Sequence, residues 1–399
     1  MPTRGYIHLQ INRILVTCPK GIPPILKQEL QHLGFPVLSE HSAGVETEGT
    51  LDDALRLNLF IRTGHRVLYL LREFSATNAE DLYRQVFAMP WEEYIDEQGY
   101  LCVTSSVDNP TIKDSRFATL RSKDAIVDRI REKRGKRPDA GPERDWTVVH
   151  LYWKEERAAL YLDTSGEPLS RRGYRKIPLA APMQETLAAA VVLATGWTGG
   201  GSFINPMCGS GTLAIEAALI GLNRAPGLLR SNFGFMHIKG WNEKLWNELR
   251  EKAKGEARKS LSGRIIATDI NPEAVEGARK NAATAGVEHL IEFGVCNYFD
   301  TPVPEGGGVI VLNPEYGERM GEAAKLGETY KGIGDFFKQR CTGYRGYVFT
   351  GNPGLAKKVS LKPKRSLPLF NSGIECRLLE YELYEGSLKV KKPKPPPMD

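Results

Sequence analysis

The chain has 399 residues, 41% of them hydrophobic and 26% charged, and its 54 Lys and Arg outnumber its 48 Asp and Glu for a net charge of +6. That is enough apolar material for two or three domains with their own cores. No stretch approaches the roughly 20 apolar residues that span a bilayer, Met1-Pro2-Thr3-Arg4-Gly5 carries no signal core, and the six cysteines form no Cys-x-x-Cys pair, so the expectation is a cytoplasmic protein with free thiols, no metal and no membrane.

Ile14-Leu15-Val16-Thr17 reads as a strand, and Pro24 opens a helix through Ile25, Leu26, Leu30 and Leu33 that Gly34 stops. Further strands and a helix between Gly44 and Phe60 give a β-α-β-β-α order, which predicts an α+β ferredoxin-like region over residues 1–65. Residues 66–165 run strand, helix, strand, basic helix, strand, strand, from Arg66-Val67-Leu68-Tyr69-Leu70 to Ala158-Ala159-Leu160-Tyr161-Leu162. Between Lys113 and Arg144 positive charge dominates, through Arg116, Arg121, Lys123, Arg129, Arg131, Lys133, Arg134, Lys136 and Arg137. Residues 166–180 form a linker punctuated by Pro168, Gly173 and Pro178, with a second basic group at Arg171, Arg172, Arg175 and Lys176. Basic stripes bind polyphosphates by counterion release. A solvated helix face is the competing reading, and it suits the mixed signs of Asp124 to Ile130. RNA contact is expected from Arg134, Lys136, Arg137, Arg171, Arg172 and Arg175.

The region 181–386 carries the chemistry. Ser202-Phe203-Ile204-Asn205-Pro206 reads as a strand, Met207-Cys208-Gly209-Ser210-Gly211 as a tight loop, and Thr212 to Ile220 as a helix stopped by Gly221. Glycines at 209 and 211 permit a sharp turn and close approach of a ligand, although such turns also join strands to helices where nothing binds. Cys208 reads as a small loop residue and not a nucleophile, because nothing nearby in sequence would stabilise its thiolate. The stretch Asn223 to Ser262, with Pro226, Phe233, Phe235, Trp241 and Trp246, is a lid or a packed insertion, and packing is the preferred reading.

Arg264-Ile265-Ile266-Ala267-Thr268-Asp269 is a strand ending in an acid, followed by a helix with Asn271 at its cap and Pro272 at its first position. An acid at that tip can accept hydrogen bonds from both hydroxyls of a ribose, or can simply belong to a turn. Ile291 to Asp300 reads as a strand and a polar loop, in which Asn297 could meet an adenine edge and Tyr298 its face; a loop Asn is also an ordinary turn former. Val309-Ile310-Val311-Leu312 is a buried strand ending in Asn313-Pro314-Glu315-Tyr316-Gly317. The Asn313 amide oxygen and the Pro314 carbonyl are acceptors for an exocyclic base amino group, and Tyr316 can stack on the base; a plain Asn-Pro turn is the alternative. A helix around Tyr330, Ile333, Phe336 and Phe337, a strand at Tyr347-Val348-Phe349-Thr350 and a hairpin at Asn371-Ser372-Gly373 follow. Residues 387–399 form a Lys/Pro-rich tail.

A glycine loop, a ribose acid, an adenine loop and an amino-group clamp thus lie on four successive β-α units. A nicotinamide dehydrogenase shares the first two and has no use for Asn-Pro-x-Tyr. In this order, together with Gly173-Tyr174-Arg175, Ala181 to Ala190, Ile215-Glu216-Ala217-Ala218, Ala278-Arg279-Lys280-Asn281-Ala282, Tyr316 to Glu322 and Asn371 to Leu378, the chain resembles the class I S-adenosylmethionine-dependent methyltransferases of nucleobase amino groups. It looks most like the THUMP-domain RNA methyltransferases, especially the bacterial 23S ribosomal RNA guanine-N2 group.

The resemblance implies an α/β fold: a Rossmann-like class I methyltransferase domain with a seven-stranded mixed sheet, preceded by ferredoxin-like and THUMP domains, the latter over 66–165. It implies S-adenosylmethionine held by Asn205, Pro206, Cys208, Gly209, Gly211, Thr212, Asp269, Ile270, Asn297 and Tyr298, catalysis through Asn313, Pro314 and Tyr316, and structured RNA, 23S ribosomal RNA, as partner. Two residues depart from the family pattern: Asn205 stands where Asp is usual, and Glu315 where Pro is usual. A non-catalytic ribosome-assembly factor with a decayed clamp, an adenine-N6 methyltransferase and a nucleotide-dependent oxidoreductase are the alternatives.

Overall fold

The computed structural model describes residues 10–112, 114–177, 182–317 and 323–384. Lys113, the linker's end at 178–180, Ala181, the stretch Glu318 to Glu322 and the tail 387–399 lie outside the described residues. The first part comprises β1 (Asn12–Thr17), α1 (Pro23–His32), β2 (Ser39–His41), β3 (Gly44–Gly49), α2 (Leu51–Phe60), β4 (Arg66–Ser75), α3 (Ala79–Phe87), β5 (Tyr100–Asp108), α4 (Ser115–Arg134), β6 (Asp139–Ala140), β7 (Thr147–Lys154) and β8 (Arg157–Asp163). Local chemistry sets the helix ends. Thr50 and Asp53 form a reciprocal capping box on α2, and Asp114 caps α4, which stops at the left-handed Gly135.

The strands of this part join in one sheet, in the order β2-β3-β1-β4-β8-β7-β5-β6. Strand β4 pairs antiparallel with β1 on one edge, Leu68 opposite Leu15, and with β8 on the other, Tyr69 opposite Leu162. It therefore completes the β-α-β-β-α pattern of the first region and also opens the second, and the sheet passes residues 65 and 66 without a break.

The rest of the chain forms α5 (Glu185–Thr195), β9 (Ser202–Pro206), α6 (Thr212–Gly221), α7 (Glu243–Gly255), β10 (Ile265–Asp269), α8 (Pro272–Thr284), β11 (Ile291–Val295), β12 (Gly308–Leu312), α9 (Ala323–Arg340), β13 (Tyr344–Thr350), α10 (Pro353–Lys358), β14 (Arg365–Asn371) and β15 (Ile374–Glu382). Among the described residues these strands make a seven-stranded sheet, ordered β11-β10-β9-β12-β13-β15-β14. It is parallel from β11 to β13, and β15 runs antiparallel to both its neighbours. Alternate residues feed opposite faces. Phe203, Ala267, Val309 and Val311 pack with α5, α6 and α8, while Ile204, Ile266, Ile310 and Leu312 pack with Tyr330, Ile333, Phe336 and Phe337 of α9. No helix of the described residues is long and apolar enough to cross a membrane.

The stretch 223–262 is a packed insertion. Phe233, Phe235 and Trp246 are buried; the two Phe rings stack at 16° and Trp246 meets both edge to face, with ring centroids 4.9 to 5.3 Å apart. It also joins the two parts of the molecule. Thr147 donates to the His237 carbonyl at 2.8 Å, and Asn242 to Asp52 at 2.9 Å. A second junction is ionic. Arg172, from the linker, has its Nε 2.8 Å from Glu216 Oε1 on α6, the two side chains being 1% and 0% exposed. The Tyr174 hydroxyl donates to the same oxygen at 3.0 Å, and Arg172 Nη2 donates to the Arg62 carbonyl at 2.7 Å.

Among the titratable groups of the first sheet, His150 on β7 is the most informative. Its Nδ1 lies 2.8 Å from Thr104 Oγ1. Burial, with Arg66 and Arg144 nearby, lowers its pKa from 6.5 to about 4. The folded chain then binds fewer protons than the unfolded one between those values, so acid favours unfolding. This contribution to stability is complete above pH 6.5 and is lost as pH falls toward about 4. Denaturation midpoints measured across that window should fall with acid, and should fall less steeply in His150→Gln.

Candidate active site

Three strand tips converge. Strand β9 lies between β10 and β12, with Asn205 opposite Ala267 on one side and Ile204 opposite Ile310 on the other. The chain leaves β9 for β10 and β11, then returns to β12 on the far side. That reversal opens a crevice at the carboxyl edge, the usual ligand position in open α/β sheets. Met207, Gly209 and Gly211 take left-handed backbone with φ of 58°, 53° and 80°. A Cβ on Gly211 would lie 2.8 Å from that of Ala278, so the loop hugs α8, whereas a Cβ on Gly209 would meet nothing within 4 Å. The space beside Gly209 is open for a ligand to approach the backbone.

Asp269 holds this loop. Its Oδ2 accepts from Gly209 N at 2.9 Å and its Oδ1 from Asn271 N at 3.0 Å. A carboxylate has about four acceptor sites, so capacity for two hydroxyls remains. Beside it Ile270 is 70% exposed, and Val295, opposite Asp269 in register, is 56% exposed. These two bare aliphatic side chains give the rim an apolar platform. Cys208 is buried, and burial together with the Asp269 charge pushes its thiol well above the ordinary range, which fits a loop residue and no nucleophile.

The other expected cofactor residues are placed differently. Asn205 is fully buried beneath the tip, and its Nδ2 donates to the Val311 carbonyl at 2.9 Å, which joins β9 to β12; its Oδ1 has no partner. Pro206 is buried too. Thr212 accepts from Arg175 Nη2 at 3.1 Å. Asn297 caps a short turn by accepting from Phe299 N at 3.0 Å. The Tyr298 ring turns toward α9, at 83° to Phe336, and its hydroxyl reaches the Thr329 carbonyl at 3.4 Å.

At the tip of β12, Pro314 is buried, Glu315 is exposed and Asn313 is half-buried, its Oδ1 enclosed without a hydrogen-bond partner among the described residues. Tyr316 is held from the far side of the sheet. Its hydroxyl accepts from Asn371 Nδ2 at 2.9 Å, and its ring sits 6.4 Å from that of Phe349 at 72°. A Cβ on Gly351 would be 2.9 Å from it. Burial pushes the phenol up to about 12, so it stays a neutral hydroxyl. The role of Asn371 was not legible in sequence beyond a hairpin turn.

The basic residues divide. Arg134, the last residue of α4, is exposed and paired with Glu93 at 3.7 Å, Lys136 and Arg137 beyond it are exposed, and Arg171 is exposed and paired with Glu167. Arg172 is not a surface residue: its guanidinium is taken up by Glu216 and the Arg62 carbonyl. Arg175 likewise turns inward, to Thr212, the Met183 carbonyl and Glu185. Within α4 much of the charge is matched, Arg129 by Glu92, Arg121 by Glu80 and Arg131 by Asp128. Among the described residues no cluster of His, Cys, Asp or Glu could hold a metal ion.

Residues 172–380 match the family model of the RMKL-like methyltransferase domain, residues 13–68 that of the RlmL ferredoxin-like domain, and residues 76–163 that of the THUMP domain. A ribosomal RNA large subunit methyltransferase K/L of Syntrophotalea carbinolica is 41% identical over 383 residues, which are 94% of this chain and 54% of that protein. The chain thus spans about half the length of the K/L relatives it matches. A Synechocystis sp. protein provisionally named an RNA methyltransferase is 35% identical, covering 96% of this chain and 100% of its own. A solved chain provisionally named a methyltransferase and crystallised with SAH superposes with a TM-score of 0.85 at 27% identity, over 95% of this chain and 100% of that one.

The tight contact at Gly211 is testable. Gly211→Ala forces a Cβ against Ala278 at a left-handed position, and overpacking of this kind costs about 1–3 kcal/mol. The thermal midpoint of the variant should fall by several degrees, and Gly209→Ala, which meets open space, should lower it less.

Proposed function

This chain belongs to the RMKL-like methyltransferase family, and we propose that it transfers a methyl group from S-adenosylmethionine to an exocyclic amino group of a base in structured RNA, guanine N2 of 23S ribosomal RNA, in the cytoplasm. The observation that carries this reading is the meeting of the β9, β10 and β12 tips in one crevice, where the glycine loop is hydrogen-bonded to Asp269 at 2.9 Å. The residues present fit the cofactor. Open space beside Gly209 admits a close ligand, Asp269 keeps acceptor capacity for ribose hydroxyls, and Ile270 and Val295 offer apolar surface to a flat base. Asn297, at the end of β11, lies beside that rim. Tyr298, turned to α9, supports the loop from behind.

Bound S-adenosylmethionine supplies an electrophilic methyl group, so no side chain need act as nucleophile. The protein's task lies at the amino group, whose lone pair is delocalised into the base. Asn313 Oδ1, an acceptor with no partner among the described residues, and the Pro314 carbonyl accept hydrogen bonds from its two N–H groups. That orients the nitrogen lone pair toward the methyl side of the crevice, and the proton that the nitrogen sheds on methylation passes to solvent. Tyr316, anchored by Asn371 and Phe349, presents a fixed ring on which the base stacks. This is catalysis by positioning and by preorganised dipoles. A paired guanine must first leave its stack, at a cost of a few kcal/mol. The exposed Arg134, Lys136, Arg137 and Arg171 are the groups proposed to meet phosphates.

Two substitutions separate the roles. Asn313→Ala should lower tritium-methyl transfer to ribosomal RNA by about 100-fold or more while calorimetric binding of S-adenosylmethionine stays near wild type. Asp269→Ala should weaken that binding first. An Asn313→Ala enzyme of full activity would remove the clamp from the mechanism, and nucleoside mapping of the product would tell guanine N2 from adenine N6.

A further inference from the structure

The linker reaches the glycine loop through a single buried amide. Asn281, on α8, is fully buried. Its Oδ1 accepts from Lys176 N at 2.9 Å and Ile177 N at 3.1 Å, and its Nδ2 donates to the Ile177 carbonyl at 3.3 Å and to the Ser210 carbonyl at 3.2 Å. All four hydrogen-bonding capacities of the side chain are used, three on the linker and one on the loop. Ser210 lies between the two left-handed glycines, where the backbone has the fewest steric constraints of its own. Two residues upstream the linker grips the same region again, since Arg175 Nη2 donates to Thr212 Oγ1 at 3.1 Å. One turn further along α6, Glu216 receives Arg172 and Tyr174.

Building on the cofactor reading above, we propose that Asn281 is a positioning residue that makes linker residues 176 and 177 a structural part of the cofactor loop, so that cofactor affinity depends on the segment tying the RNA-binding domains to the catalytic domain. Asn281 touches no substrate. It acts by holding the Ser210 carbonyl, and through it the Gly209 N–H that Asp269 binds, in the open geometry beside the crevice. A merely structural Asn281 would seal α8 against the linker and leave the loop unaffected.

The full chain is titrated calorimetrically with S-adenosylhomocysteine, and amide exchange at residues 209–212 is followed without ligand. Asn281→Asp keeps both acceptors for Lys176 N and Ile177 N but sets a carboxylate oxygen against the Ile177 and Ser210 carbonyls. Its Kd should rise by about fivefold, the change expected when a hydrogen bond worth about 1 kcal/mol is lost. Exchange at 209–212 should quicken, and the loss in methyl transfer should appear in KM for the cofactor more than in kcat. Ile177→Pro serves if the buried variant fails to fold. It deletes one donor at a residue that is 38% exposed, and Pro178 already confines residue 177 to extended backbone. Its Kd should rise severalfold. A wild-type chain that does not bind S-adenosylhomocysteine ends the cofactor reading and this proposal with it. A wild type that binds, beside folded variants with Kd within twofold and unchanged exchange, leaves the cofactor reading intact and overturns the role of Asn281.

Discussion

Arg172 and Glu216 are withdrawn from water as a pair, and the placement of the glycine-loop side of the crevice follows from where they meet. Burying each ion costs several kcal/mol, which their attraction repays only if the remaining polar atoms are matched. Here the Arg62 carbonyl matches Arg172 Nη2, and Tyr174 adds a second donor to Glu216 Oε1, while Glu216 Oε2 has no hydrogen-bond partner among the described residues. Burial pushes the Glu216 carboxyl up, and the Arg172 charge opposes that shift. Such a pair adds little net stability compared with an apolar contact of the same size. Its effect is to single out one arrangement, because any movement of the linker against α6 separates two buried charges. Glu216 sits one turn into α6, so the same contact fixes the helix on which the glycine loop ends.

The two halves of the crevice are therefore braced from different directions. The loop side is held by the linker, through Asn281, Arg175 and Arg172. The clamp side is held by the hairpin of β14 and β15, through Asn371 on the Tyr316 hydroxyl, with Phe349 of β13 against the ring. Chemistry that relies on orientation needs both, since a small misplacement of either partner is costly even when no acid or base is involved. The insertion at 223–262 adds a third brace, because its aromatic cluster lies where the two parts of the molecule meet.

The parts of this design that were legible in sequence are those set by local pattern. Val309 to Leu312 and Ile265 to Ala267 read as buried strands because uninterrupted β-formers bounded by turn residues have few other solutions. The crevice residues could then be placed by strand order alone. Partners distant in sequence stayed hidden. Arg172 looked like one more charge in a basic run, and nothing near it announces Glu216 on a helix beyond the first strand of the next domain. Tyr298 looked free to cover a base, and only the position of α9 turns its ring aside. The region 66–165 looked separate from 1–65 because a linear reading assigns β4 to one unit, whereas a strand has two edges and β4 uses both.

The two departures from the family pattern also have different physical meanings. An amide at 205 can donate to the Val311 carbonyl; an ionised Asp there would set a carboxylate oxygen against it. Asn205 therefore works as a stitch between the two central strands. Glu315 is different, because it is exposed at the mouth of the clamp while Pro314 keeps its carbonyl in place by burial. A carboxylate at that point repels a phosphate and attracts the N–H donors on a base edge. On the proposed reading, a base that leaves its stack would enter while its own backbone stays outside. If the proposed clamp holds a base, a negative charge beside its acceptors would sort those two groups in the required direction, and Glu315 in place of a second proline would exchange stiffness of the turn for an electrostatic preference at its entrance.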